Sequence, residues 1–214
     1  MTASDTSPPL IFVVSGPSGS GKSTLVQKIL DLPGTLWSVS CTTRKPRPSE
    51  NPGKWYDFVS ETEFERMVAQ SEFLEYARVF GKHWYGTPRR WLQEARARRL
   101  DLVLEIDVQG AQQLREQHVR QQLPELVSIF IVPPSRQELE RRIRARGQDS
   151  EEEIARRLER ARQEMQHYAQ YDYIVVNDDV ERAGCAVQAI VAAARCRRGQ
   201  KEQQVRRILD SFGG

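Results

Sequence analysis

Four short apolar runs stand out from an otherwise charged chain: Leu10–Val14, Leu102–Ile106, Leu126–Val132 and Ile174–Val176. Each predicts a strand buried on both faces of a sheet. Helical stretches separate them. Leu25, Ile29 and Leu32 lie on one side of a helix predicted from Lys22 to Asp31. The alternation of strand and helix predicts an α/β fold with a largely parallel sheet. Ligands of such sheets bind at the carboxyl ends of the strands. Asp107 lies there, just past Leu102–Ile106.

Two regions break the pattern. Residues 38–90 are richer in aromatic residues, Thr and Pro. Within them Tyr56–Val59 and Phe73–Phe80 predict short strands. A small helix near Glu61–Gln70 separates these, with Phe64, Met67 and Val68 at helical spacing. This stretch reads as a small inserted α+β lobe. Residues 134–158 are dense in charge and predict two helices joined by Gly147-Gln148-Asp149-Ser150. Ser150 with Glu153 is a capping box that starts the second helix. After it, Ile154, Leu158, Ala161, Met165 and Tyr168 predict an apolar stripe that packs on the core. Lys201–Phe212 is a further amphipathic helix, and the basic cluster Arg195-Cys196-Arg197-Arg198 before it reads as a solvated helix end.

Composition narrows the class. Of 214 residues, 39% are apolar and 29% charged, which suits one sizeable globular core. A net charge of +3 is too small to argue for a nucleic-acid partner. No apolar stretch approaches the roughly 20 residues of a membrane span. Met1–Pro9 is polar and lacks the features of a signal peptide. The expectation is a cytoplasmic protein without a nucleic-acid or membrane partner. Cys41, Cys185 and Cys196 have neither metal-type spacing nor an even count, so they predict incidental thiols. His83, His118 and His167 are scattered and form no metal-ligand cluster.

Candidate chemistry begins where the first strand ends. Gly16-Pro17-Ser18-Gly19-Ser20-Gly21-Lys22-Ser23 matches the phosphate-loop pattern G-x-x-x-x-G-K-[ST], between a predicted strand and a predicted helix. Backbone N–H groups and the positive helix end then face a phosphate chain. Lys22 can reach the outer phosphates, and the Ser23 hydroxyl can take a place on Mg²⁺. The loop implies a nucleoside triphosphate without saying which chemistry follows. Arg142 and Arg146 share a helix face, and Arg157 can converge on them if the two helices form a hairpin. Planar guanidinium groups suit a phosphoryl group in transfer.

The lobe offers a second basic site. Arg44 and Arg47 flank Lys45-Pro46, with Tyr56 and Tyr85-Gly86-Thr87 further on, which makes a cradle for a phosphate monoester. Glu75, within Phe73-Leu74-Glu75-Tyr76, is a carboxylate in apolar surroundings and needs donors. Guanine offers two adjacent donors, N1–H and the 2-amino group, whereas adenine would leave the carboxylate unpaired.

On these residues the chain resembles the guanylate kinases, bacterial type, from about Leu10 to about Ala183. The segments that carry the resemblance are Ser38-Val39-Ser40-Cys41-Thr42-Thr43-Arg44-Lys45-Pro46-Arg47-Pro48, Tyr85-Gly86-Thr87, Ile106-Asp107-Val108-Gln109-Gly110-Ala111 and Val175-Val176-Asn177-Asp178-Asp179. Arg146-Gly147-Gln148-Asp149-Ser150-Glu151-Glu152 is similar to the lid segment of the bacterial enzymes. The resemblance implies a P-loop NTPase-type parallel sheet core, an inserted GMP-binding lobe and a helical lid. It implies transfer of the γ-phosphoryl of ATP to GMP or dGMP, with Mg²⁺ accompanying ATP, and a homo-oligomer is left open. The divisions expected are 1–37, 96–133 and 159–214 for the core, 38–95 for the lobe and 134–158 for the lid.

Carried over by position, Ser40, Arg44, Arg47, Tyr56 and Tyr85 would hold the GMP phosphate. Glu75, Thr87 and Asp107 would read guanine. Lys22, Arg142, Arg146 and Arg157 would be the catalytic cations, and Asn177 would lie near adenine or simply form a turn. Two departures stand out: Glu105 replaces the family's usual Asp, and Gly81-Lys82-His83-Trp84-Tyr85 is one residue longer than usual. Two other readings are compatible with a phosphate loop. One is a non-catalytic guanylate-kinase-like module that captures phosphorylated peptides, which typically has a degraded loop and lid. The other is a kinase for a different phosphorylated acceptor, which would not need Glu75 and Thr87.

Overall fold

Ile11–Ser15 forms β1, and its side chains show why an unbroken apolar run was required. Leu10, Phe12 and Val14 point to one face of a sheet, Ile11 and Val13 to the other, and all are essentially inaccessible. On the first face lie α1 (Lys22–Leu30) and α7 (Val180–Arg195), through Leu25, Val26, Ile29, Val187 and Val191. On the second lie α3 (Arg90–Arg98) and α4 (Val108–Val119), through Leu92, Ala95, Ala111 and Leu114. Burying each such large side chain contributes about 1.5–3 kcal/mol. The computed structural model describes residues 7–46, 53, 55–79, 81–120, 123–145 and 150–212.

β1 is the centre of a five-stranded sheet with order β2-β7-β1-β8-β9. Its partners are β2 (Thr35–Trp37), β7 (Asp101–Glu105), β8 (Leu126–Val132) and β9 (Tyr173–Val176), and every pairing is parallel. A second, four-stranded sheet has order β4-β3-β6-β5. It consists of β3 (Ser40–Thr42), β4 (Tyr56–Phe58), β5 (Phe73–Val79) and β6 (His83–Pro88). Helix α2 (Glu61–Ala69) lies between β4 and β5 in the chain, starts at Ser60, whose hydroxyl accepts from Glu63 N, and buries Phe64 and Met67. Phe64, Met67, Phe73 and Cys41 form a core separate from that of the large sheet.

Helices α5 (Arg136–Arg144) and α6 (Glu151–Met165) form the charged hairpin. A small apolar cluster of Leu139, Ile143, Ile154, Leu158 and Ala161 closes it. The capping box is present: Ser150 Oγ accepts from Glu153 N at 3.3 Å. α6 runs unbroken through the expected lid boundary at 158–159, as α3 does through 95–96.

Two expectations are corrected. Tyr168 is not part of the α6 stripe. The helix ends at Met165, and Tyr168 lies in the following 3₁₀ turn at 56% exposure. The cluster before the last helix, α8 (Arg198–Ser211), is not simply solvated. Arg195 donates to Asp101 Oδ2 at 2.7 Å, and Arg197 donates to Glu125 Oε1 at 2.6 Å. Asp101 in turn accepts from Leu10 N at 2.9 Å, so these ions tie α7 to the starts of β1 and β7.

Candidate active site

The phosphate loop leaves the carboxyl end of the central strand. Gly16, Gly19 and Gly21 have φ of 141°, 95° and 91°, conformations that favour glycine. At Gly16 the need is also steric, because a Cβ would lie 2.1 Å from the Ile131 carbonyl oxygen. Helix α1 begins at Gly21 with no side-chain cap and no acidic residue in its first turn. By contrast α2, α4, α5, α6 and α7 are capped by Ser60, Asp107, Ser135, Ser150 and Asp179. An uncapped N-terminus behind a glycine loop suits an anion. Lys22 Nζ folds back to donate to Gly16 O at 2.7 Å and Pro17 O at 3.1 Å. Ser20 N donates to Pro17 O at 3.1 Å, which closes the turn.

A cleft of about 290 Å³ joins this loop to the small sheet. Gly16, Ser18, Gly19, Gly21, Lys22 and Ser23 line one end. Ser40, Arg44, Tyr56, Tyr85, Glu75 and Asp107 line the other.

Strand register assembles the second group. Ser40 pairs with Tyr56 across β3 and β4, and Thr42 pairs with Tyr85 across β3 and β6. Arg44, just beyond β3, donates from Nε to Tyr85 Oη at 3.1 Å, with its guanidinium 5.4 Å from the Tyr56 ring centre. The β5–β6 hairpin turns between the paired Val79 and His83, with Gly81 at φ 63°, and Tyr85 follows it beside Arg44. Arg47 lies outside the described residues.

Glu75 pairs with Thr87 across β5 and β6, and Thr87 Oγ1 donates to Glu75 Oε1 at 2.6 Å. Burial pushes the Glu75 carboxyl up to about 7, against the pull of the Thr87 hydroxyl and with help from the nearby charge of Asp107. Asp107 caps α4, accepting from Gly110 N at 2.9 Å, and burial raises it too. Glu164, on α6, also lines the cleft and is pushed up to about 7, chiefly by burial, while Lys22 opposes and Asp107 adds to the rise. Its position was missed from sequence. The available signal was its seven-residue spacing from Arg157 on one helix. Cys41, between Ser40 and Thr42, is pushed to about 11 by burial and so is not an activated thiol.

The predicted ATP-side residues separate. Asn177 is 2% exposed, and its Nδ2 donates to Ser20 O at 2.7 Å. Arg142 is held by Glu138 at 2.7 Å and donates from Nη2 to Asn177 O at 2.8 Å. Both therefore brace the loop from outside the cleft. Arg141 and Arg142 both donate to Glu138 and together hold its carboxyl down to about 2. Arg157 stands on α6 and does not line the cleft, and Arg146 lies outside the described residues. The outer shoulder of the loop packs on α5, where a Cβ on Gly19 would meet Leu139 Cδ1 at 2.9 Å.

Ser23 Oγ donates to Glu105 Oε1 at 3.0 Å, so the longer acid reaches the loop serine. This hydroxyl and carboxylate are hard oxygen donors of the type Mg²⁺ takes. Among the described residues no group of three His, Cys, Asp or Glu could hold a metal alone, so an ion here would need phosphate and water oxygens to complete its shell. Also among the described residues, no helix is long and apolar enough to cross a membrane.

The family model for guanylate kinase matches residues 9–194. Curated relatives named guanylate kinase include one from Vibrio parahaemolyticus, 46% identical over 205 residues, covering 94% of this chain and 96% of the relative. Another, from Escherichia coli K12, is 48% identical over 197 residues, covering 91% and 92%. Among solved structures, a guanylate kinase from Anaplasma phagocytophilum superposes with a TM-score of 0.74 at 35% identity, covering 91% of this chain and 90% of that one.

Proposed function

The chain belongs to the guanylate kinase family, and on that premise we propose how its cleft carries out phosphoryl transfer from ATP to GMP or dGMP. The loop Gly16–Ser23 takes the ATP phosphates. Ser40, Arg44, Tyr56 and Tyr85 take the acceptor phosphate, together with Arg47. Glu75, Thr87 and Asp107 read guanine. Residues 38–95 then act as the acceptor lobe and 134–158 as the lid on a core made of the rest. The reaction belongs in the cytoplasm.

The observation that carries the reading is a single one. One cleft has a phosphate loop at one end and, at the other, a fully buried Glu75 whose protein partner is a hydroxyl. A buried carboxylate accepts strongly from a ligand presenting two N–H donors, and rejects one presenting a lone pair.

The nucleophile is a phosphate oxygen of GMP, largely ionised near neutral pH, so no general base is required. Catalysis rests on alignment and charge neutralisation. Lys22 swings from its loop carbonyls to the transferring group. Arg142, already against the loop at Ser20, contributes with Arg146 and Arg157 as the hairpin closes and excludes water. Asn177 supports ATP from beneath, by holding the loop. Mg²⁺ arriving with ATP would be held by Ser23, with Glu105 reaching its water, and would supply neutralisation of the outer phosphates.

The test is ADP release measured with GMP, AMP, UMP and CMP as separate acceptors. GMP should be preferred over AMP by several hundredfold or more. Equal activity with AMP would overturn the guanine assignment.

A further inference from the structure

Strand β5 is an edge of the small sheet, so alternate N–H and C=O groups along it have no strand partner. Helix α4 of the core supplies one in side-chain form. Gln113 Nε2 donates to Tyr76 O at 2.7 Å, while its Oε1 accepts from Tyr76 N at 3.2 Å. One amide thus satisfies both groups of one residue, as the peptide of a neighbouring strand would. Gln117 Nε2 donates to Leu74 O at 2.6 Å. The two glutamines bracket Glu75, the residue between.

The same helix face meets the Glu75 side chain. Asp107, Gly110, Gln113 and Gln117 recur at three- and four-residue spacing. At Gly110 a Cβ would lie 2.3 Å from Glu75 Oε2, so the carboxylate lies directly on the first turn of α4. Asp107 caps that turn. The helix therefore carries one base-facing carboxylate at its start and grips the backbone on both sides of the other.

We propose that Gln113, with Gln117, is a positioning residue for guanine selection, holding Glu75 in register with Asp107. The proposal rests on Glu75 reading guanine as argued above. A glutamine hydrogen bond lost on one side of Glu75 lets its carboxylate drift from the two donors it must meet together. A drift of this kind costs the 2-amino contact without touching the phosphate loop.

The test replaces Gln113 by Met, which keeps the unbranched length and removes the amide. Rates are compared for GMP and for inosine monophosphate, which lacks the 2-amino group. Gln113→Met should raise KM for GMP about tenfold, with kcat within about twofold, and should narrow the preference for GMP over inosine monophosphate. Glu75→Gln is measured beside it. If Glu75→Gln narrows the preference but Gln113→Met lowers both acceptors equally, the positioning role is overturned and guanine reading stands. If Glu75→Gln leaves the preference unchanged, the reading of Glu75 falls and this inference with it. Should Gln113→Met fail to fold, Gln117→Met makes the same test from the other side, and an unaltered preference there overturns the proposal.

Discussion

Glu75 is the residue whose protonation matters most. Its carboxyl rises from 4.5 to about 7 on folding, chiefly through burial. The folded state therefore binds this proton more tightly than the unfolded chain. Stability from this group is complete below about pH 4.5 and is lost as pH rises through about 7. The loss is about 3 kcal/mol across that window. Glu75→Gln, which cannot ionise, should gain thermal stability relative to the parent between pH 5 and pH 7.5 in the absence of nucleotide. A constant difference in Tm would contradict the assignment. Binding runs the other way, because guanine needs the ionised form. KM for GMP should climb as pH falls below about 7 in the parent and change less in Glu75→Gln. Glu75 was legible in sequence because a lone acid among Phe73, Leu74 and Tyr76 demands a reason. Glu164 was not, because on a helix as charged as α6 one more acid looks solvated until the fold turns it into the cleft that Lys22 also lines.

At the scale of elements, helix α4 and the turn between β9 and α7 act through what they touch. A methyl at Gly110 would enter the space of the Glu75 carboxylate. Gly110→Ala should therefore raise KM for GMP by tenfold or more and leave ATP affinity within about twofold, read by steady-state kinetics in each substrate. Asn177→Ala removes the bond to Ser20 O and loosens the loop from below. It should weaken ATP binding by about tenfold while sparing GMP binding, which titration calorimetry of each nucleotide would separate. The long apolar strands and the amphipathic helices were legible from periodicity. β2, β3 and β6 were not. Two have three residues, too few for a pattern, and His83–Pro88 contains the Gly and Pro that ordinarily argue against a strand. The site depends on these strands, since the register of β3 with β4 and β6 sets Ser40, Tyr56 and Tyr85 around Arg44. The residue types of the acceptor site and their grouping in a cradle were thus readable, and the strand register that brings them together was not. Asn177 and Arg142 add what their positions after a strand and on an arginine-rich helix did not suggest, because without nucleotide both donate to the loop carbonyl of Ser20.

For the molecule as a whole, the two proposed nucleotide stations lie on different sheets, and each should stabilise the chain by mass action. GMP at about a hundred times its Kd should add about 2.7 kcal/mol. For a chain of this size that is a rise in Tm of roughly 5–10 °C. The shift should vanish in Glu75→Gln at the same GMP concentration, while an ATP analogue still raises Tm, as scanning calorimetry would report. A single shift common to both ligands in that variant would mean one shared site.

The parallel sheet also has a temporal side. β1 lies at the middle of the sheet, yet its partners Leu102 and Leu126 follow Ile11 by ~90 residues and more. A ribosome adding about 5–20 residues per second takes roughly 5–20 s to deliver the first of them. For that interval the fully buried central strand of the molecule has neither neighbour to pair with. The segment that later anchors the phosphate loop is thus, during synthesis, an exposed sticky stretch suited to a chaperone.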